Sequence, residues 1–287
     1  MKLRLFVLAA ALLLALAAAD AAEQSTVPLS EYTVQRTRGK ITIDGKLDEE
    51  SWKSATPSQE WLFLDGKTRP TNATTVKVLW DKDTLYIAIS CTDTDVRAKK
   101  TDRDDDVFNE DCVEFFIMEQ LRKDKYGSFL EYEINALNTR FDAFNIGPLE
   151  AVLGWDSKGW RSAVKVDGTI NNNEDTDKGW TVEMSIPFFD FYGTAFRTVD
   201  KAEAYYGRHR GQQMRFAPEI GDRWRADFFR IDKVGRRTQY IGWSPTLDGG
   251  FHIPDRFGTL IFSGDLVGEG RAAPVTPEMK TAPSDSH

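Results

Sequence analysis

The stretch that most constrains the fold is residues 109–136, where two runs of alternating polarity flank a short loop holding Lys123, Lys125 and Gly127. In NEDCVEFFI (109–117), Val113, Phe115 and Ile117 fall on one side of an extended chain and Glu114 and Phe116 on the other. In FLEYEINA (129–136), Leu130, Tyr132 and Ile134 take the apolar side, while Glu131, Glu133 and Asn135 take the opposite one. Paired antiparallel, these strands make one apolar face, which needs a second layer to bury it, and one face bearing Glu114, Glu133 and Asn135. The polar face reads two ways. It is a solvated outer face of a sheet. Alternatively, with Phe108, Phe116 and Phe129 beside it, it is a surface for a sugar, whose hydroxyls need polar partners and whose C–H face needs a flat apolar one. The pattern leaves both open.

The same grammar runs along the rest of the chain. VKVLWDKDTLYIAISC (76–91) reads as a hairpin turning at Asp81-Lys82-Asp83. TRFDAFNI (139–146), WRSAVKVDGT (160–169), GWTVEMSIPF (179–188), DRWRADFFRID (222–232), RTQYIGWSP (237–245) and FGTLIF (257–262) read as further strands. KITIDGKLDEESWKSA (40–55) places a short strand, a turn and a short helix with Trp52, capped by Asp48. Residues 201–213 are mildly helical. Many short strands, little helix, and neither an internal repeat nor a Pro-rich linker indicate an all-β chain forming one antiparallel β-sandwich domain. The division expected is 1–21 a signal peptide, 22–35 an extended lead-in, 36–263 the sandwich and 264–287 a disordered tail rich in Gly, Pro, Ala and charge.

Lys2 and Arg4 precede an apolar run from Leu5 to Leu16, too short for an ordinary membrane span, and small residues follow. The protein is therefore expected to be secreted or periplasmic. Its formal charge of −8 argues against nucleic acid or anionic lipid as partners and is compatible with a neutral polysaccharide and with Ca²⁺. Export makes a disulfide between Cys91 and Cys112 chemically possible. However, Cys91 is in phase with the apolar residues of its strand and Cys112 with Glu114, so only a bulge would bring them together.

Two loops are rich in oxygen ligands. NNNEDTD (171–177) offers Asn171, Asn173, Asp175 and Asp177 as a Ca²⁺ set, and Asp102–Asp106 is a second acidic run. Neither fits a helix-flanked twelve-residue calcium loop, and both also read as solvated turns. Asn72-Ala73-Thr74 is a glycosylation sequon.

In order, ITIDGKLDEESW, VKVLWDKDTLYIAI, FNEDCVEFFI, YEINALNT, GWTVEMSIP, GDRWRADFFRID and WSPT…FHIPDRFG resemble family 9 carbohydrate-binding modules and their relatives over residues 36–262. The resemblance implies a jelly-roll-like β-sandwich, non-catalytic binding of oligo- or polysaccharide, and bound calcium. It implies further that Phe108 and Trp243 clamp a sugar ring, with Glu114 and Asn135 among the polar residues of the site. The sequence departs from the sugar-binding members at Phe108, where they carry Trp, and at Glu133, where they carry Arg. Two readings from other classes stand beside this one. Glu114 and Glu133 could serve as the two carboxylates of a glycan-active enzyme. Related sandwiches carry haem between Met and His, for which His209, His252, Met118, Met184 and Met214 are available.

Overall fold

A computed structural model describes residues 27–118, 127–147, 150–191 and 216–269. The expected signal peptide, residues 201–213 (expected to be mildly helical) with His209, Met214, and residues 270–287 of the expected tail lie outside the described residues.

The strands follow the alternating runs: β1 (Glu31–Arg36), β2 (Leu62–Phe63), β3 (Thr74–Trp80), β4 (Thr84–Thr92), β5 (Cys112–Met118), β6 (Phe129–Asn135), β7 (Arg140–Gly147), β8 (Glu150–Val152), β9 (Arg161–Asp167), β10 (Gly179–Pro187), β11 (Arg223–Val234), β12 (Arg237–Gly242) and β13 (Gly258–Leu266). The one helix among the described residues, α1 (Glu50–Ser54), carries Trp52. The sheet runs β8-β7-β6-β5-β11-β13-β1-β3-β4-β10-β9, with β12 on β11 and β2 on β12. Pairing is antiparallel except at β1, which lies parallel to both β13 and β3. The lead-in is thus part of the sheet and joins its two halves.

Those halves close on one core. Val113, Phe115 and Ile117 of β5 and Leu130, Tyr132 and Ile134 of β6 meet Val76 and Val78 of β3, Ile87 and Ile89 of β4, and Val182, Met184 and Ile186 of β10. This is the apolar phase read from the sequence. Behind β3, β4 and β10, α1 buries Trp52 against Leu79 and Ala88. The indole Nε1 donates to the buried Glu183 (2.8 Å), which also accepts the N–H groups of Asp44 and Gly45 (2.9 and 3.0 Å). Asp48 is not the cap of α1. Glu49 stands there and makes no side-chain cap bond, since its carboxylate accepts the Thr42 N–H instead (3.0 Å). The expected tail also begins too early, because β13 continues to Leu266 and buried Val267 donates to the Arg36 carbonyl (2.9 Å).

Candidate functional site

The second face of β5 and β6 is not a solvated surface. Glu114 and Glu133 stand directly opposite one another in register and are each 2% exposed, with Asn135 wholly buried. Two covers lie over this face. Phe251 and Phe257 pack on Phe116, Phe129 and Phe229, and Val107 of a 3₁₀ turn (Val107–Asn109) packs on Phe141 and Ala143 of β7. Asn135 holds loops together. Its amide donates to the Lys100 carbonyl and Glu110 (2.9 and 2.7 Å) and accepts the N–H groups of Leu137 and Thr139 (3.0 and 2.8 Å). Burial, then the nearby Glu131, pushes the Glu114 carboxyl well above the usual carboxylate range. Burial, then Glu114 and Glu131, does the same to Glu133. As they stand, the pair reaches neither a substrate's glycosidic oxygen nor a sugar hydroxyl.

The expected aromatic clamp separates into two different environments. Phe108, in the 3₁₀ turn, is 40% exposed. Trp243 is 2% exposed and belongs to the main core, edge-on to Phe228 with ring centroids 5.5 Å apart. Its backbone N–H donates to the Phe228 carbonyl (2.9 Å) and its carbonyl accepts the Ser30 hydroxyl (2.6 Å). Gly258 makes room for the ring: a Cβ there would sit 2.4 Å from indole Cζ3. The Trp-Ser-Pro segment is a turn, but its indole is buried, so the expectation that Trp243 clamps a sugar ring is corrected.

In the loop 171–177, the side chains of Asn171, Asp175 and Asp177 bond within the chain. The Asn171 side chain bridges both backbone groups of Ala98 (3.2 and 2.6 Å). The two carboxylate oxygens of Asp177 accept the N–H groups of Thr169 and Val96 (2.7 and 2.8 Å), and Asp175 accepts the Thr169 hydroxyl (2.7 Å). These oxygens order a turn. Among the described residues, three other groups of acidic or thiol side chains converge: Asp93 with Asp111 and Asp232, Asp104 with Asp142 and Asp156, and Cys112 with Glu114 and Glu133. The first two each contain a guanidinium. Buried Arg230 bonds Asp93 and Asp232 (2.9 and 3.0 Å). Arg103 pairs with Asp104 (2.9 Å), Asp142 and Asp156 (3.3 Å).

Other expectations resolve locally. Both cysteines are free and buried on different faces, as their phases indicated. Asn72 of the sequon is buried and donates to Asp232 (2.9 Å), which withdraws it from modification. Of the haem candidates, Met184 is core. His252 lies beside Glu131 (3.3 Å) with its ring against Phe116 and Phe129.

One cleft of about 560 Å³ opens where the β11–β12 turn meets the loops 95–99, 109–110 and 171–173. Sequence reading missed it because its walls come from four separated segments. Asn109, the residue after exposed Phe108, lines it together with Asn171, Asn173 and Thr238. Its charges are mostly positive: Arg97, Lys99, Lys233, Arg236 and Arg237 stand against Asp95 and Glu110. Asp95 holds Arg97, and Lys233 donates to Thr238 (3.2 Å). Glu110 faces inward as acceptor for the N–H groups of Lys99 and Lys100 (2.7 and 3.1 Å). A volume of this order suits a small ligand, and the lining is rich in hydrogen-bond donors.

The sequence profile of the family described as carbohydrate family 9 binding domain-like matches residues 43–265. No curated protein is significantly similar in sequence. A candidate carbohydrate-binding protein from Bacteroides uniformis superposes with a TM-score of 0.60 at 15% identity, over 82% of this chain and 100% of that one. A family 9 carbohydrate-binding module from Caldicellulosiruptor kristjanssonii, solved with cellotriose, gives 0.52 at 16% identity over 86% and 100%. A family 9 carbohydrate-binding module from the same organism, solved with glucose, gives 0.51 at 17% identity over 82% and 96%. At these identities the likeness is one of fold, a β-sandwich.

Proposed function

Because the chain belongs to the carbohydrate family 9 binding domain-like family, we propose that it is an exported, non-catalytic saccharide-binding protein whose binding surface is Phe108 and the adjoining polar cleft. The observation that carries this placement is an exposed ring, Phe108, next in sequence to a residue of a donor-rich cleft. A pyranose would stack its C–H face on Phe108 and direct hydroxyls to Asn109, Asn173 and Thr238. The structural neighbours solved with cellotriose and glucose support an oligosaccharide ligand. The charged amino-terminal residues and apolar run support export, to the periplasm or beyond. The buried Glu114/Glu133 pair argues for binding without turnover.

The excess of cations gives the cleft a charge preference. Lys99, Arg236 and Arg237 line it and are exposed, so a saccharide carrying a carboxylate or sulfate gains an attraction that a neutral one lacks. The test is a glycan panel of neutral and acidic oligosaccharides on the mature protein, repeated with Phe108→Ala and Arg237→Glu. Loss of binding in both variants, with melting temperatures unchanged, supports the placement. Full binding in both overturns it.

A further inference from the structure

The geometry points to a buried thiolate–carboxylate site for a zinc-class divalent cation, built from Cys112, Glu114 and Glu133. The register creates it. Cys112 and Glu114 are two apart on β5 and share its outer face, and Glu133 stands opposite Glu114 on β6. One donor atom from each residue lies within 4.8 Å of the others. The Cys112 sulfur is 3.8 Å from Glu114 Oε1. A tetrahedral zinc with S at ~2.3 Å and O at ~2.1 Å has an S···O edge of ~3.6 Å, so little rearrangement would admit the ion.

A second, independent observation is that Glu133 Oε2 is buried and has no hydrogen-bond partner. Buried carboxylate oxygens are nearly always satisfied, and this one belongs to the cluster. No lysine or arginine bonds to any of the three side chains among the described residues. The directly facing groups are Phe229 and Ile231 from β11, Phe141 from β7, and Glu131, which touches Glu133 and whose other partners are Asn145 (2.7 Å) and His252 (3.3 Å). The Lys233 charge reaches Cys112 from further along β11, but its amine bonds Thr238. This sets the cluster apart from the other two acidic groups, where Arg230 and Arg103 already supply positive charge. Unpaired charge at such depth is costly.

The donor set selects the class of ion. Calcium wants six to eight oxygens, whereas a thiolate with two carboxylates suits a borderline metal such as zinc. The inference does not depend on saccharide binding, since it concerns the buried face and not the cleft.

The experiment titrates the chelator-treated full protein with Co²⁺, a spectroscopic stand-in for zinc. The expected result is a thiolate-to-cobalt charge-transfer band that saturates at one equivalent and is abolished by Zn²⁺. Cys112→Ser removes the band, Cys91→Ser keeps it, and Glu133→Gln weakens cobalt binding at least tenfold. Absence of the band in the parent protein overturns the site, and so does a band that survives Cys112→Ser. If Cys112→Ser does not fold, the parent spectrum together with Cys91→Ser decides: a one-equivalent band retained in Cys91→Ser leaves Cys112 as its source, and a band lost there overturns the assignment.

Discussion

Trp243→Ala distinguishes a core indole from a sugar clamp, and the structure sets the magnitude. A Trp side chain buries about 150–250 Å², worth about 4–6 kcal/mol at ~25 cal/mol per Å². Against this, the buried indole Nε1 has no acceptor, a defect of about 1–3 kcal/mol that truncation relieves. Incomplete collapse around Phe228 and Gly258 leaves a cavity and restores part of the loss. The net expectation is about 3–4 kcal/mol, in line with Trp→Ala changes in other cores. For a domain of this size that lowers the melting temperature by roughly 10 °C. Trp243→Phe keeps most of the ring and removes the unpartnered N–H, so it should cost less than half as much. The assay is urea and thermal unfolding of all three proteins, with saccharide binding measured well below the lower melting point. Folded Trp243→Ala should bind the saccharide like its parent. If it melts within ~2 °C of the parent and loses the sugar, the indole is a clamp and the core assignment is wrong.

Further outcomes follow from the same contacts. Gly258→Ala drives a methyl to 2.4 Å from the indole and 2.6 Å from the Ser30 carbonyl, so unfolding assays should register a loss of about 1–3 kcal/mol. Phe108→Ala removes an exposed ring; calorimetry should show saccharide affinity falling tenfold or more with the melting temperature held, as for loss of an aromatic anchor of about 2 kcal/mol. Binding of an acidic saccharide should weaken as salt rises from 50 to 500 mM, whereas binding of a neutral one should stay flat; equal slopes would deny the cleft its charge preference. Burial raises the Asp142 carboxyl to about 6 despite its pairing with Arg103. A carboxyl raised on folding stabilises most below its unfolded value near 4, and that contribution is lost as pH climbs through about 6. Asp142→Asn should therefore gain on the parent between pH 4 and 7, and parallel melting profiles would refute the burial argument.

Alternation made the strands legible because which residues share a face depends only on the period of two. It assigned Val113, Phe115 and Ile117 to the core, and it kept Cys91 and Cys112 apart. It could not say what covers the other face. Phe251 and Phe257 come from a distant turn, and Val107 from a polar run, so Glu114 and Glu133 looked like surface residues. β1 escaped notice because EYTVQR has one fully buried residue, Val34, and gains its place by parallel pairing on both sides. The buried arginine was within reach. Arg230 shares the phase of the apolar Trp224, Ala226 and Phe228, and a cation at a core position requires acids nearby. Asp232 was two residues away, and Asp93 came from the end of β4. For Trp243, the Ser-Pro that follows signals a turn but carries no information about which way the preceding side chain points.

Position 133 ties these observations together. The resemblance implies an arginine on the floor of this face in the sugar-binding members, a donor where this chain has an acceptor. Here Glu133 faces Glu114, so the floor offers acceptors to acceptors, an opposition that is unfavourable across a strand pair. Such a floor is tolerable only if a proton or a cation lies between the carboxylates. That requirement favours closure, and closure is what Val107, Phe251 and Phe257 achieve. The cations stand elsewhere, on the rim, where Lys99, Arg236 and Arg237 line the cleft with Asn109. On the proposed binding surface, the aromatic plate, Phe108, and the donors of the cleft lie outward of the sheet face, on the loops. On this argument the single change Glu133→Arg should not restore a sugar site. The floor is already covered, and a guanidinium placed under Val107 would destabilise the cover before it met a ligand.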